Sequence, residues 1–102
     1  MHPEMEWDEA VTVLEGWTGR DVVVVSFLEP GISLEPAVAP LVLERSERGV
    51  VRLELPQMPI ALRRSTFIEA GWVPGQDERG LSVVQGGVRV DVFLDGELAD
   101  DV

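Results

Sequence analysis

Any chemistry in this chain must come from Asp, Glu, Ser, Thr and Arg. Its 102 residues include no Lys, Cys, Tyr or Asn, and the single histidine, His2, sits beside the amino terminus. That inventory excludes a Schiff base, a thiolate nucleophile, a Cys/His metal cage and a phosphate-loop lysine. Acid/base work by carboxylates needs two of them at a defined separation, at least one desolvated enough to titrate differently. Most carboxylates here lie among polar neighbours. Glu69, flanked by Phe67, Ile68, Ala70 and Trp72, is the exception. A lone carboxylate without a constellation is not an active site, so no residue is taken as catalytic.

Arg63 and Arg64, together with Trp72, could hold an anion or stack on a base. Trp17 and Trp72 could also serve as a ligand platform, although tryptophans more often anchor a core or an interface. Arg63, Arg64, Glu69, Trp17 and Trp72 are therefore the candidate binding residues, and all five carry a structural reading beside the functional one. Asp95, Glu97, Asp100 and Asp101 offer oxygen ligands but not at the spacing of a twelve-residue calcium loop. Gly75 to Ser82 imitates a phosphate loop, with Leu81 where the lysine belongs. No metal and no cofactor is expected.

The formal net charge of −11 disfavours nucleic acid and anionic membranes as partners, through long-range repulsion. All cations are Arg, and the missing Lys, Asn and Tyr have AT-rich codons, which suits a bacterial GC-rich coding sequence better than a functional loss of lysine. The charge is uneven. Residues 4–15 and 91–101 carry acids and no Arg, whereas 44–64 holds Arg45, Arg48, Arg52, Arg63 and Arg64. Either these are solvated faces, or the acidic ends of one copy meet the Arg-rich middle of another. No signal segment opens the chain, and the longest apolar run is too short to span a bilayer, so a cytoplasmic location is expected.

The positioning elements follow from periodicity. Trp7, Ala10, Val11, Leu14 and Trp17 line one helical face, predicting a helix from about Pro3 to Leu14. Asp21 to Glu29 reads as a strand. Its unbroken Val22–Val25 run implies burial on both faces, the second against a barrel interior, another sheet or another subunit. A helix leading to Gly19-Arg20 and a valine strand resembles the opening of Sm-like small barrels over the first quarter of the chain. That family's Asp/Asn-containing RNA-binding motif has no counterpart, so no residue is carried over.

Pro30, Pro36 and Pro40 make 30–40 read as a stiff loop. A hairpin then pairs Leu43 with Leu53, Leu41 with Leu55 and Glu44 with Arg52 around Glu47-Arg48-Gly49. Pro59 and Gly71 bracket a second, ambiguous helix near 60–70. A last hairpin turns at Gly86-Gly87, aligning Val83 with Val90 and Leu81 with Val92, with Arg89 and Asp91 pointing away from the core.

These elements predict an α+β fold: an N-terminal helix on an antiparallel sheet or small barrel of about five strands. Residues 1–96 form one domain and 97–102 an acidic, disordered tail. The expected function is a non-catalytic acidic protein-interaction module, a homodimer or the partner or inhibitor of a basic protein. Two alternatives stand beside it. One is a small-ligand-binding barrel with the 30–40 loop and Trp72 at its mouth; the other is a carboxylate-dependent enzyme using Glu69.

Overall fold

The structure is a computed structural model describing residues 4–28, 32–33, 36–47, 49–55, 59–76 and 78–95. The described residues form an α+β fold with ten strands rather than about five: β1 (Glu4–Met5), β2 (Asp21–Leu28), β3 (Ile32–Ser33), β4 (Ala37–Pro40), β5 (Leu43–Glu47), β6 (Val50–Leu53), β7 (Ile60–Arg63), β8 (Phe67–Trp72), β9 (Gly80–Gln85) and β10 (Val88–Leu94). They form a seven-stranded antiparallel sheet, ordered β1-β8-β9-β10-β2-β3 with β4 also on β2, and a three-stranded sheet β5-β6-β7. Both sheets are open, so of the two expected forms, antiparallel sheet or small barrel, the sheet is formed and the barrel, with its mouth, is not.

The helix α1 (Trp7–Gly16) begins at the first residue of the periodic face, later than the expected Pro3, and ends two residues after the expected Leu14. Its start is set by Glu9, whose Oε1 accepts the Glu6 N–H at 2.9 Å, half of a capping box. Acidic Asp8 and Glu9 in the first turn also suit the positive end of the helix dipole. Trp7, Ala10, Val11 and Leu14 face inward as expected.

Two expectations are overturned. The predicted helix near 60–70 is instead β7, a 3₁₀ turn at Arg64–Thr66, and β8. Thr66, Phe67 and Ile68 favour extended backbone, and pairing of β7 with β6 and β8 with β9 outweighs the Pro59/Gly71 bracket. The 30–40 loop contains β3 and β4, which pair with opposite ends of β2. Pro40 is tolerated because β4 is an edge strand.

The hairpins keep their register. Leu43 pairs with Leu53 and Glu44 with Arg52, with a bulge before Glu47↔Val50, and Gly49 takes the left-handed conformation at φ +74°. Leu41 does not continue that ladder to Leu55. It is pinned to the end of α1 instead, accepting the Gly19 N–H and donating to the Arg20 carbonyl, each at 2.8 Å. Val83↔Val90 and Leu81↔Val92 form as predicted. The acidic segment after Gly96, expected to be disordered, lies outside the described residues.

One core joins these layers. The inward residues of the large sheet (Val22, Val24, Leu81, Val83, Val90 and Val92) pack with the α1 face and with Val51, Leu53 and Leu62 of the small sheet. Helix and small sheet therefore cover the same, inner face of the large sheet. Gln85 locks the two sheets together. Its Oε1 accepts the Arg63 N–H at 3.0 Å and its Nε2 donates to the Ala61 carbonyl at 2.9 Å. A side-chain amide thus satisfies two backbone groups of β7 as a neighbouring strand would.

Candidate functional site

The five candidate residues are not brought together. Trp17 is buried at the end of α1 and packs on Trp72, ring centroids 6.4 Å apart, so both serve the inner layer. Arg63 and Arg64 are exposed where β7 enters the 3₁₀ turn. Trp72 ends β8, the strand that follows, roughly 16 Å along at about 3.3 Å per residue. Arg63 and Arg64 cannot share an anion with Trp72 at that separation. Glu69 is exposed on the opposite side of β8 from Trp72. β4 and β8 lie on different sides of the β9-β10-β2 centre of the sheet, so neither β3 nor β4 adjoins Trp72's strand.

Strand parity assembles a different site. The register of β8, β9, β10, β2 and β4 puts Glu69 and Gly71, Ser82 and Val84, Arg89, Asp91 and Phe93, Val23, Val25 and Phe27, and Val38 on the outer face. Both described layers that pack on this sheet are on the other side. Three cross-strand rows result. Glu69, Val84, Arg89 and Phe27 form one; Gly80, Phe93, Val23 and Val38 form another; between them run Gly71, Ser82, Asp91 and Val25. The middle row is low because two of its members are small, so the face has a shallow trough with a carboxylate in it.

The bulky rows are held by close packing. Phe93 lies directly over Gly80, where a Cβ would come within 2.8 Å of the ring. Arg89 extends across Phe27 with its guanidinium carbon 4.2 Å from the ring centroid, a cation–π contact. The Arg89 Nε is 3.4 Å from Asp91 Oδ1, near enough for ionic attraction but outside hydrogen-bonding geometry. Asp91 is only 7% exposed, and its Oδ1 has no hydrogen-bond partner. The expected outward orientation of Arg89 and Asp91 holds, but the position of Asp91 is buried.

Residues of both parities along β2, β9 and β10 carry the signal for this face. The Val22–Val25 run announced it, and the doubled pairs Val83-Val84 and Val92-Phe93 repeat it. What sequence reasoning missed was that these outward residues adjoin one another. Among the described residues no three His, Asp or Glu side chains cluster to hold a metal ion, and no helix is long and apolar enough to cross a membrane.

Comparison with known proteins adds no relative: no family model matches the chain, and no curated protein or solved structure matches it.

Proposed function

We propose that this chain is a non-catalytic protein-interaction module and that the outer face of the seven-stranded sheet is its binding surface. The observation that carries this reading is the second side of the valine strand. Val23 and Val25 are only half-buried, and they adjoin Phe27, Val84, Phe93 and the 58%-exposed Val38 on a face outside the core. An antiparallel sheet with one solvated face normally alternates apolar and polar residues. Here the second face carries Val23, Val25, Phe27, Val38, Val84 and Phe93 around a polar middle, and an apolar patch of this kind marks a surface for another macromolecule. The shortage of catalytic side chains supports the same reading.

The absence of cysteine gives a direct test. Single thiols are introduced by Val84→Cys on the outer face and Thr12→Cys on the exposed side of α1, and their alkylation is timed in purified protein and in host lysate. The Val84→Cys thiol is expected to react at least tenfold more slowly than in a denatured control in one or both settings, with Thr12→Cys fast throughout. Equal, rapid alkylation of both thiols in both settings defeats the reading.

A further inference from the structure

We infer that the occupant of the outer face is a second copy of the same chain, stacked sheet on sheet about a two-fold axis that exchanges Arg89 and Asp91 between the copies. The inference rests on the interaction reading above and specifies its partner.

The first argument is the charge pattern of the face. Its centre holds one cation and one carboxylate two residues apart on β10, the strand flanked by β9 and β2. A basic partner would have to place positive charge against Arg89 to reach Asp91. An acidic one would meet Asp91 on the way to Arg89. A two-fold axis across β10 at the level of Val90 runs the two β10 strands antiparallel over each other. Arg89 of each copy then stands opposite Asp91 of the other. An isologous interface must be self-complementary, and this pair satisfies that condition without any other surface.

The second argument is the state of the two side chains in the single chain. Asp91 Oδ1 is buried without a hydrogen bond, a costly condition for a carboxylate. Arg89, whose Nε lies 3.4 Å away, is misaligned to supply one, and its side chain is 49% exposed. Stacked sheets lie about 10 Å apart, a span that an arginine arm crosses. Exchange of the arms gives each Asp91 a charge-assisted hydrogen bond from the opposite copy. The attraction itself comes from burying Val23, Val25, Phe27, Val84 and Phe93. The exchanged pairs set register and orientation rather than affinity, as buried ion pairs usually do.

Part of the negative charge of each copy lies away from this interface, while Glu4, Asp21 and Glu69 stand on the outer side of the sheet, around its centre. The acids of α1 and of the small sheet lie on the far side of each large sheet. In the stacked pair the two acidic layers are separated by both large sheets, more than about 20 Å, or over two Debye lengths at physiological ionic strength.

Three chains decide the matter by light scattering behind a sizing column: the wild type, R89D and D91R. The wild type is expected to be a dimer that persists in about 1 M NaCl, as an apolar interface should. R89D alone gives the face two carboxylates and D91R alone gives it two cations, so each is expected to lose at least tenfold in dimer affinity. An equimolar mixture of R89D and D91R is expected to regain the dimer as a heterodimer, which only pairing across the interface can produce. Val84→Arg, at a half-buried position, provides a variant independent of the buried carboxylate and is expected to be a folded monomer.

A wild-type chain monomeric to about 0.5 mM overturns the inference. If Val84→Cys is nevertheless protected in lysate, the interaction reading stands with another protein as partner. If that thiol is open as well, both fall. A dimer dispersed by salt overturns the inference in favour of acidic ends meeting the Arg-rich middle. A dimer unaffected by R89D, D91R and Val84→Arg overturns it in favour of another surface.

Discussion

Two residues in this molecule, one a backbone surrogate and one a gap where no side chain fits, each make a sharp prediction. Gln85 offers one acceptor and one donor to β7, at Arg63 and Ala61, in a setting almost closed to water. Gln85→Leu keeps the bulk but leaves both backbone groups without a partner. Each such loss costs roughly 1–3 kcal/mol when water cannot replace it. Partial access of solvent to β7 lowers the sum to about 2 kcal/mol, or a fall of about 10 °C in Tm for a domain this size. Thermal unfolding followed by circular dichroism measures it, and a fall under about 3 °C would show that the small sheet does not depend on the clamp. Gly80 is constrained differently. A methyl there would stand 2.8 Å and 2.9 Å from two carbons of the Phe93 ring and 3.2 Å from the Val73 Cβ. Gly80→Ala is expected to cost about 1–3 kcal/mol, as overpacking does. It should also turn the Phe93 ring, visible as a changed near-ultraviolet dichroism or ring-proton shift, and an unmoved ring would contradict the close approach.

At the level of elements, β2 separates what the core needs from what the outer face needs. Val24 is fully packed between the helix layer and the sheet, whereas Val25, its neighbour, is half-exposed on the other side. Val24→Ala should cost about 2–3 kcal/mol, combining lost transfer energy with a residual cavity. Val25→Ala should cost about 1 kcal/mol when the protein is dilute. Urea unfolding at low protein concentration compares the two, and equal losses would mean that the outer face is covered within the chain itself.

Much of this element structure was legible beforehand because it is local. A Gly86-Gly87 turn fixes the register of the strands on either side. Glu44 opposite Arg52 and Leu43 opposite Leu53 fix another. What failed was decided at long range. Residues 60–70 hold helix punctuation at both ends and β-branched residues between, and only the availability of β6 and β9 as partners settles the choice. Pro36 and Pro40 hid β4, because nothing local says that an edge position on β2 is open to it. The valine run announced a second apolar face. The burial of Asp91 within that face depends on the residues of β2 and β9 beside it and was invisible along the strand. The scattered positions of Arg63, Arg64 and Trp72 were equally invisible, since their nearness in sequence is undone by the extended course of β8.

At the scale of the whole molecule the question is whether its charge helps or hinders folding, and magnitudes decide it. Three of the favourable pairs among the described residues are wet. Arg45–Glu15 at 2.6 Å, Arg52–Glu44 at 3.5 Å and Arg52–Glu54 at 3.3 Å all involve substantially exposed side chains. Pairs of this kind contribute about 0–1 kcal/mol each. Against them stands the chain's formal net charge of −11, beside a radius of gyration of 12.9 Å. Two unit charges about 20 Å apart in water repel by about 0.2 kcal/mol, and eleven of them make dozens of such pairs. Unfolding roughly doubles the dimensions of a chain of this length and relieves most of that repulsion. At low ionic strength repulsion therefore exceeds attraction by several kcal/mol. Raising salt to about 0.5 M shortens the screening length to a few ångströms and removes most of the repulsion. Tm is accordingly expected to rise by roughly 5–15 °C between about 10 mM and 0.5 M NaCl at fixed protein concentration. Arg45→Gln, which breaks the shortest of these ion pairs, should change Tm by no more than a few degrees at either salt concentration. A Tm that falls with salt would reverse the balance, making the ion pairs rather than the excess charge the dominant electrostatic contribution to the fold.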